Sequence, residues 1–392
     1  MNEEDQYLST SLYQKFPIKI DRGKGVRVWD ASGKEYIDCM GGYGVALVGH
    51  CNPRVVEAIK NQAEKLIVCH MSFYNDAREN FIQRIAAIAP RGLSKIFFSN
   101  SGAEAVEASL KFSRRFTGKP GIISMSGGYH GKTFGALSAT YNEKYRKPFM
   151  PLLDNVKFLP YTTTGIDDAI NDNVGAVIVE PIQGETGIIL PPDGLLQNMR
   201  EVCTRHGIVL IFDEIQSGLG RTGKMWAGEN WKITPDVMCL AKGLAGGVPI
   251  GLTLSRPQIV EALRVGEHSS TFGGNPLACA AGTATIDSLN DENLVENAAE
   301  VGSYFKAGLL KLKEKHRIVR DVRGLGMMLA LELRFDVRNL LLDGIRHGLL
   351  MLYSGKNILR LLPPLVMDKE TISRVLEIMD ELISEEEKRR VV

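Results

Sequence analysis

The sequence predicts an α/β fold, in which a large domain with a mostly parallel central sheet is followed by a smaller α+β domain. Between residues 53 and 282, short and continuous apolar runs alternate with helical patterns, and such runs suit strands buried on both faces of a parallel sheet. The 392 residues, 44% of them hydrophobic, are enough for two domains with a sizeable core. After residue 283 the pattern changes to long helices and a few strands.

The predicted elements begin with an N-terminal arm or small hairpin, which carries strand-like pieces at 25–29 and 36–38. The pair Asn52-Pro53 opens a helix, and a second helix is predicted at 76–89. Strands of the large sheet are predicted at 95–99, 121–124, 156–159, 175–179, 207–212 and 237–240.

The predicted large domain spans residues 41–282. Residues 1–40 join residues 283–392 in the predicted small domain. That domain has helices to about residue 315, strands at 317–322 and 327–333, and a last helix from about residue 368.

Charge and cysteine content exclude several classes of protein. Lys and Arg number 47 against 46 Asp and Glu, a net charge of +1, so we expect neither a nucleic-acid partner nor a membrane surface. The closest two of the six cysteines, Cys39 and Cys51, are 12 positions apart, so the C-x-x-C spacing of metal and redox sites does not occur. The acidic start at residues 1–5 and the lack of a membrane-length apolar run predict a cytoplasmic protein.

The first chemical motif lies where the strand at 95–99 runs into a helix. Backbone N–H groups of Ser101, Gly102 and Ala103 would face the end of the strand and bind an anion, most simply a phosphate. The alternative is an ordinary capping box, with Ser101 as the N-cap and Glu104 three positions later.

The second motif is the carboxylate pair Asp213-Glu214, which follows the apolar strand at 207–212. Open α/β sheets bind ligands at the carboxyl ends of their strands, and a buried aspartate there needs a partner. A metal, a sugar hydroxyl and a protonated ring nitrogen are the candidates. The chain lacks the phosphate-loop motif G-x-x-x-x-G-K-[ST], which disfavours a nucleotide-bound magnesium ion. We expect no metal.

The third motif is Lys242, which follows the strand at 237–240 inside a glycine-rich loop. A desolvated lysine can act as an amine nucleophile, and the alternative is a surface lysine in a flexible loop. Lys242 follows Asp213 by 29 positions, one strand-helix-strand step, which places both at the same sheet edge. A phosphate cradle, a carboxylate and an amine together meet the needs of pyridoxal phosphate.

The chain resembles the class III, ω-amino-acid aminotransferases of pyridoxal phosphate fold type I, in particular the acetylornithine and acyl-lysine branch. The resemblance covers nearly the whole chain. It rests on these ordered matches: Asn100-Ser-Gly-Ala-Glu-Ala105, Tyr129-His-Gly131, Glu180-Pro-Ile-Gln-Gly-Glu185, Asp213-Glu-Ile-Gln216, Gly220-Arg-Thr-Gly223, Ala241-Lys-Gly243, Ser270-Thr-Phe-Gly-Gly-Asn-Pro276 and Leu359-Arg360.

The resemblance implies that Lys242 binds the cofactor aldehyde and then moves the proton at the substrate carbon, while Asp213 keeps the ring nitrogen protonated. Tyr129 matches the aromatic residue that stacks on the ring. Thr271 matches a threonine that reaches the phosphate from the neighbouring subunit, which implies a homodimer with shared active sites. The implied cofactor-binding residues are Ser101, Gly102, Ala103, Tyr129, His130, Asp213, Gln216, Lys242 and Thr271.

The resemblance also implies four substrate-binding residues, Lys132, Glu185, Ser270 and Arg360. Arg360 would clamp a glutamate carboxylate or pair with Glu185 when an ω-amine donor is bound; a plain salt bridge and an exposed surface arginine are the alternatives. Lys132 stands where this branch commonly has arginine. That change leaves the acyl group of the substrate open.

We therefore expect a transaminase that moves the ω-amino group between N-acylated ornithine or lysine and 2-oxoglutarate, in arginine or lysine biosynthesis. The alternatives are an ornithine or 4-aminobutyrate transaminase and a non-catalytic pyridoxal phosphate-binding protein, and retention of Lys242 and Asp213 argues against the last. An acidic amino-group carrier protein could dock on a basic cluster formed by Lys132, Lys144, Arg146 and Lys147, for which a solvated loop is the alternative reading.

Overall fold

The computed structural model describes residues 15–390. Its strands, in chain order, are β1 (Ile20–Lys24), β2 (Arg27–Asp30), β3 (Glu35–Asp38), β4 (Lys95–Ser99), β5 (Gly121–Met125), β6 (Val156–Leu159), β7 (Val174–Val179), β8 (Val209–Asp213), β9 (Val237–Leu240), β10 (Gly251–Ser255), β11 (Val319–Leu325), β12 (Met328–Leu333), β13 (Leu349–Leu350), β14 (Leu352–Ser354) and β15 (Ile358–Leu361).

Helices pack on both faces of the central sheet. The longer ones are Pro53–Lys65, Asp76–Ile88, Gly102–Thr117, Leu195–His206, Pro276–Asp291, Leu294–Lys315, Arg338–Arg346 and Lys369–Arg390. The short ones are Gly41–Gly44, Phe134–Ala139, Glu143–Arg146, Ile166–Ala169 and Pro257–Glu261, with 3₁₀ turns at Lys147–Phe149, Ala227–Trp231 and Lys242–Ala245.

The central sheet has seven strands in the order β4-β10-β9-β8-β7-β5-β6. The pairs from β9 to β6 are all parallel, and β10 is antiparallel to both of its neighbours. The predicted α/β fold with a mostly parallel sheet is confirmed. Six of the seven strands were predicted to within two residues at each end, but β10 was missed. Every residue of β5, β7, β8, β9 and β10 is buried.

The parallel order brings the candidate residues to one edge. Asp213 is the last residue of β8 and pairs with Cys239 of β9, so Lys242, two residues after β9, leaves the sheet beside it. The predicted helix between the two strands is wrong, because loops and the 3₁₀ turn Ala227–Trp231 make that connection. The placement at a common edge depends only on the parallel pairing of β8 with β9.

The C-terminal part forms a smaller antiparallel sheet, in the order β11-β12-β15-β14. A third sheet, β1-β2-β3-β13, joins the N-terminal segment to the C-terminal part through parallel pairing of Ile37 with Leu349. This contact supports the predicted grouping of residues 1–40 with 283–392, which stays a prediction. The first 14 residues, including the acidic start, lie outside the part of the chain that the structure describes. The helix Pro276–Asp291 crosses the predicted boundary at 282.

The helix Gly102–Thr117 fixes the entrance to the candidate site. It begins at Ser101, whose Oγ accepts a hydrogen bond from the backbone N–H of Glu104 at 3.2 Å. Its apolar face buries Val106, Leu110 and Phe112 against the sheet, and each such side chain contributes about 1.5–3 kcal/mol through burial. The first turn of the helix is therefore held firmly at the carboxyl end of β4.

Candidate active site

A cavity of about 510 Å³ opens at the carboxyl edge of the central sheet. Ten of the predicted site residues line it: Ser101, Gly102, Ala103, Tyr129, His130, Lys132, Glu185, Asp213, Gln216 and Lys242. An outer cavity of about 710 Å³ shares Tyr129 and Glu185 with it and adds Arg360. The structure thus gathers most of the predicted residues into two adjoining cavities.

The predicted anion cradle and the capping box are both present. The carboxylate of Glu104 accepts a hydrogen bond from the N–H of Asn100 at 2.5 Å, which completes a variant of the box one residue before Ser101. The N–H groups of Gly102 and Ala103 belong to the first helical turn and have no intrahelical acceptor. A Cβ atom at Gly102 would lie 2.8 Å from Cδ1 of Ile215, so a larger residue there would force the Ile215 side chain to shift.

Lys242 has a left-handed backbone, with φ of 49°. Such a conformation in a non-glycine residue is costly and is concentrated at functional sites. The side chain lines the cavity and is half-buried, unlike the surface lysine of the alternative reading. Burial lowers the pKa of Lys242, while Glu185 raises it and Arg360 lowers it. A larger fraction of neutral, nucleophilic amine follows.

Asp213 and Glu214 serve different purposes. Oδ2 of Asp213 lies 2.7 Å from Nδ1 of the buried His130, and Oδ1 accepts a hydrogen bond from the N–H of Ile215 at 3.1 Å. Glu214 turns away from the cavity and accepts hydrogen bonds from the N–H groups of Ala227 at 2.6 Å and Gly228 at 2.9 Å. Only Asp213 of the pair is available to a ligand.

Sequence reasoning gave no role to Glu180, which follows β7 directly and lines the cavity. Its Oε1 accepts a hydrogen bond from the N–H of Tyr129 at 2.8 Å, and its Oε2 accepts one from Gly184 at 3.0 Å. Burial raises the pKa of Glu180 to about 7. Its position at the end of a buried parallel strand, the same as that of Asp213, is the signal that could have identified it.

Glu185 and Arg360 form an ion pair in which Arg360 is buried and Glu185 is half-buried. Nη1 of Arg360 lies 2.9 Å from Oε1 of Glu185 and 3.1 Å from the carbonyl oxygen of Gly184. Arg360 is 1% exposed, so the alternative of a surface arginine is wrong. Burial acts to raise the pKa of Glu185, but Arg360, Lys242 and a hydrogen bond with Gln216 together lower it. Nε of Arg360 is buried without a hydrogen-bond partner, which leaves a donor for a second carboxylate.

Ser270 and Thr271 lie outside the cavity of Lys242. They line a separate surface cavity with Asn100, whose Nδ2 donates a hydrogen bond to Oγ of Ser270 at 3.2 Å. The single chain therefore does not bring Thr271 to its own cradle.

The basic residues near the entrance differ in solvent exposure and in their contacts with aromatic rings. Lys132 is exposed, with Nζ 4.9 Å from the centroid of the Tyr145 ring. Arg146 is half-buried and stacks 4.4 Å above the ring of Phe158. Lys144 and Lys147 are exposed.

The cavity suits pyridoxal phosphate. It offers first-turn N–H groups for a phosphate, a buried carboxylate for a ring nitrogen, and an amine for an aldehyde. Oε1 of Gln216 is buried in the cavity wall with no protein hydrogen-bond partner, as expected of a group whose partner is a bound molecule. In the part of the chain that the structure covers, no group of three His, Cys, Asp or Glu side chains could hold a metal ion.

No helix between residues 15 and 390 is long and apolar enough to cross a membrane.

Comparison with known proteins gives consistent results. The family Aminotransferase class-III matches residues 9–383. Acetylornithine aminotransferase of Methanopyrus kandleri is 44% identical over 377 residues, which cover 95% of this chain and 96% of the relative. Ornithine aminotransferase 1 of Staphylococcus aureus is 40% identical over 384 residues, with 95% and 96% covered.

Among solved structures, ornithine aminotransferase from Toxoplasma gondii superposes with a TM-score of 0.95 at 32% identity, covering 99% of this chain and 94% of that one. That structure has pyridoxal phosphate at partial occupancy in its active site. The match extends over the full architecture, and the family match includes every candidate residue described above. The chain belongs to the class-III aminotransferases, and the predicted transaminase class and pyridoxal phosphate cofactor are thereby confirmed.

Proposed function

We propose that this enzyme transfers the ω-amino group between an N-acylated ornithine or lysine and 2-oxoglutarate, which it converts to glutamate. The observation that carries the proposal is the Glu185–Arg360 pair at the junction of the two cavities. When the two side chains are paired, they present little net charge to a substrate whose ω-amine stands on an apolar stem. When Glu185 moves away from Arg360, the guanidinium is free to bind a carboxylate of glutamate through two hydrogen bonds.

The cofactor-facing residues have separate tasks in this reaction. Pyridoxal phosphate, when bound, withdraws electrons from the substrate carbon that carries the amine. Lys242 would hold the cofactor through its amine and would then move a proton at that carbon. Asp213, fixed by His130 and the N–H of Ile215, keeps a proton on the ring nitrogen. Gly102 and Ala103 bind the phosphate, and Tyr129 covers the ring.

The charges of the outer cavity favour an acylated substrate over free ornithine. Lys144 and Lys356 line this cavity together with Tyr43, Tyr141 and Tyr145, and Lys132 lies near it over Tyr145. Arg360 adds a third cation, against the carboxylates of Glu143 and Glu185 in the same lining. The excess of positive charge repels the second ammonium group of free ornithine, whereas acylation removes that charge. Free ornithine is the second candidate, because relatives carrying that activity in their names are 40% identical to this chain. 4-Aminobutyrate lacks the group that would fill the outer cavity.

The test is a comparison of kcat/KM for acetylornithine, carrier-bound lysine, free ornithine and 4-aminobutyrate, each with 2-oxoglutarate as acceptor. We expect an N-acylated donor to exceed free ornithine by at least about 100-fold, since a site that rejects a charged analogue can discriminate on that scale. A higher kcat/KM for free ornithine would assign the second function. The preferred acyl donor also places the enzyme in arginine or in lysine biosynthesis.

A carrier-bound substrate would require a docking surface beside the entrance. Of the predicted basic cluster, Lys132, Lys144 and Lys147 are exposed, whereas Arg146 packs on Phe158. Reversing the charge at Lys147, which does not line the outer cavity as Lys144 does, should weaken turnover of carrier-bound lysine and leave that of free acetylornithine unchanged. Equal losses on both substrates would exclude the carrier.

The proposed assembly is a homodimer with shared active sites. Four aromatic side chains are 63–94% exposed and offer apolar surface that a second copy of the chain would cover; they are Phe73, Tyr74, Phe134 and Phe272. Phe272 follows Thr271 directly, so a second copy that covers Phe272 would also approach that threonine.

Placement in the cytoplasm is supported by the six cysteines, all of which are free.

A further inference from the structure

The carboxylate of Glu180 connects two parts of the active site that are distant in sequence. Glu180 is 6% exposed, and its two oxygens accept hydrogen bonds from different segments, Tyr129 N–H at 2.8 Å and Gly184 N–H at 3.0 Å. The hydroxyl of Tyr161 donates to the carbonyl oxygen of Glu180 at 3.1 Å, which fixes the backbone that carries the carboxylate. One side chain thus holds the cofactor-covering segment and the segment before Glu185.

Gly184 is held on both sides. Its N–H donates to Glu180, and its carbonyl oxygen accepts a hydrogen bond from Arg360 at 3.1 Å. A Cβ atom at this position would collide with Oε1 of Gln216, so the backbone is also packed tightly against the cavity wall. The next residue, Glu185, forms the ion pair with Arg360.

We propose that Glu180 is a positioning residue that keeps Tyr129 and Gly184 in a fixed relation while the side chain of Glu185 pairs with Arg360 or leaves it. The inference rests on the proposed function, because such an anchor matters only if Arg360 exchanges Glu185 for a substrate carboxylate. The anchor confines that exchange to one side chain, so the aromatic face over the cofactor stays in place in both half-reactions.

Only a carboxylate can satisfy both contacts. Two N–H donors converge on Glu180, and a glutamine would offer one oxygen to one donor and an NH₂ group to the other. In Glu180→Gln, either Tyr129 or Gly184 loses its acceptor. Aspartate keeps the charge but is one methylene shorter, so it cannot reach both N–H groups at once.

The two contacts affect the two half-reactions differently. A looser Tyr129 slows both, because the same ring is covered in each. A looser Gly184 weakens the Glu185–Arg360 pair, which must be closed for the ω-amine donor and open for glutamate. We therefore expect the ratio of kcat/KM for glutamate to that for acetylornithine to rise by at least about fivefold in Glu180→Gln, mainly through a higher KM for acetylornithine.

The experiment measures each half-reaction separately by single-turnover absorbance of the holoenzyme, in wild type, Glu180→Gln and Glu180→Asp. Glu214→Gln is the matched control, because Glu214 is also a buried carboxylate that accepts hydrogen bonds from two backbone N–H groups but does not line the cavity. A rise in the ratio for either Glu180 variant, with an unchanged ratio for Glu214→Gln, supports the inference. If Glu180→Gln does not fold, Glu180→Asp provides the same test of the ratio.

Equal losses in both half-reactions, or the same change in Glu214→Gln, would overturn it. Failure of the proposed function is visible separately, because wild-type enzyme would then use no N-acylated ornithine or lysine as donor. In that case the ratio is measured with whichever ω-amine the wild type accepts.

Discussion

Nδ1 of His130 lies 2.7 Å from Oδ2 of Asp213, and both side chains are buried at the carboxyl edge of the central sheet. A buried carboxylate held in this way is oriented before any ligand arrives. Asparagine has the same size and retains the contact with the N–H of Ile215, but it cannot carry the negative charge that keeps a ring nitrogen protonated.

We expect Asp213→Asn to lower kcat by about 100- to 10,000-fold while the protein still binds the cofactor. Single-turnover kinetics with glutamate measure the loss, and absorbance reports the bound cofactor. The control is Asp236→Asn, because Asp236 pairs with Arg200 and Arg256 at the opposite edge of the sheet. A near-wild-type rate for Asp213→Asn would remove Asp213 from the mechanism.

Arg360→Lys tests the carboxylate clamp. Lysine keeps the charge and loses the planar pair of donors. We expect KM for glutamate to rise by about 10- to 100-fold, with a smaller effect on acetylornithine. Arg334→Lys is the control, since Arg334 is exposed and its Nε donates a hydrogen bond to the carbonyl oxygen of Arg317 at 3.0 Å. Equal changes for both substrates would contradict a clamp specific to glutamate.

Stability should depend on pH through Glu214. Burial raises the pKa of Glu214 from 4.5 to about 7. Between these values the folded chain binds a proton that the unfolded chain has lost, so the free energy of unfolding decreases as pH rises through the window. Glu214→Gln removes this titration. We expect its melting temperature to fall less steeply than that of wild type from about pH 5 to 7; parallel curves in thermal denaturation would refute the shifted pKa.

The proposed homodimer with shared active sites predicts complementation between two defective variants. Lys242→Ala should lose the visible band of lysine-bound cofactor and its activity, and Thr271→Ala should lose cofactor affinity. If Thr271 serves the neighbouring subunit, a mixed dimer contains one site with both lesions and one intact site. Refolding the two variants together should then restore activity that neither has alone. Lack of recovery in a mixture shown to form mixed dimers would place Thr271 outside the partner's site.

Continuous apolar runs made most of the central sheet predictable. Strands β5, β7, β8 and β9 are buried on both faces, and their boundaries follow from turn residues in the sequence. The residues that end β8 and follow β9, Asp213 and Lys242, could be placed at one edge because parallel strands align their carboxyl ends. The helix expected between them does not form. Their predicted position at a common edge is nevertheless correct, because it depends only on the parallel pairing of β8 with β9.

Long-range contacts account for what sequence reasoning missed. Strand β10 is only five residues long and follows a glycine-rich loop, so its pattern resembled an extension of that loop. Its identity depends on pairing with β4, more than 150 positions earlier. The role of Glu180 depends on an N–H donor at Tyr129, 51 positions away. The burial of Arg360 likewise depends on Gly184 and Glu185, which a local pattern around residue 360 does not reveal.

The antiparallel direction of β10 has a consequence for how the loop of Lys242 can vary in length. Because β10 runs back beside β9, residues 241–250 leave the sheet and re-enter it at the same edge. Gly251 pairs with Ser99 and has no room for a Cβ atom against the carbonyl oxygen of Ser101. An inserted or deleted residue between 241 and 250 would shift the Lys242 amine relative to the anion cradle. Loops at the opposite edge can change length without moving either group.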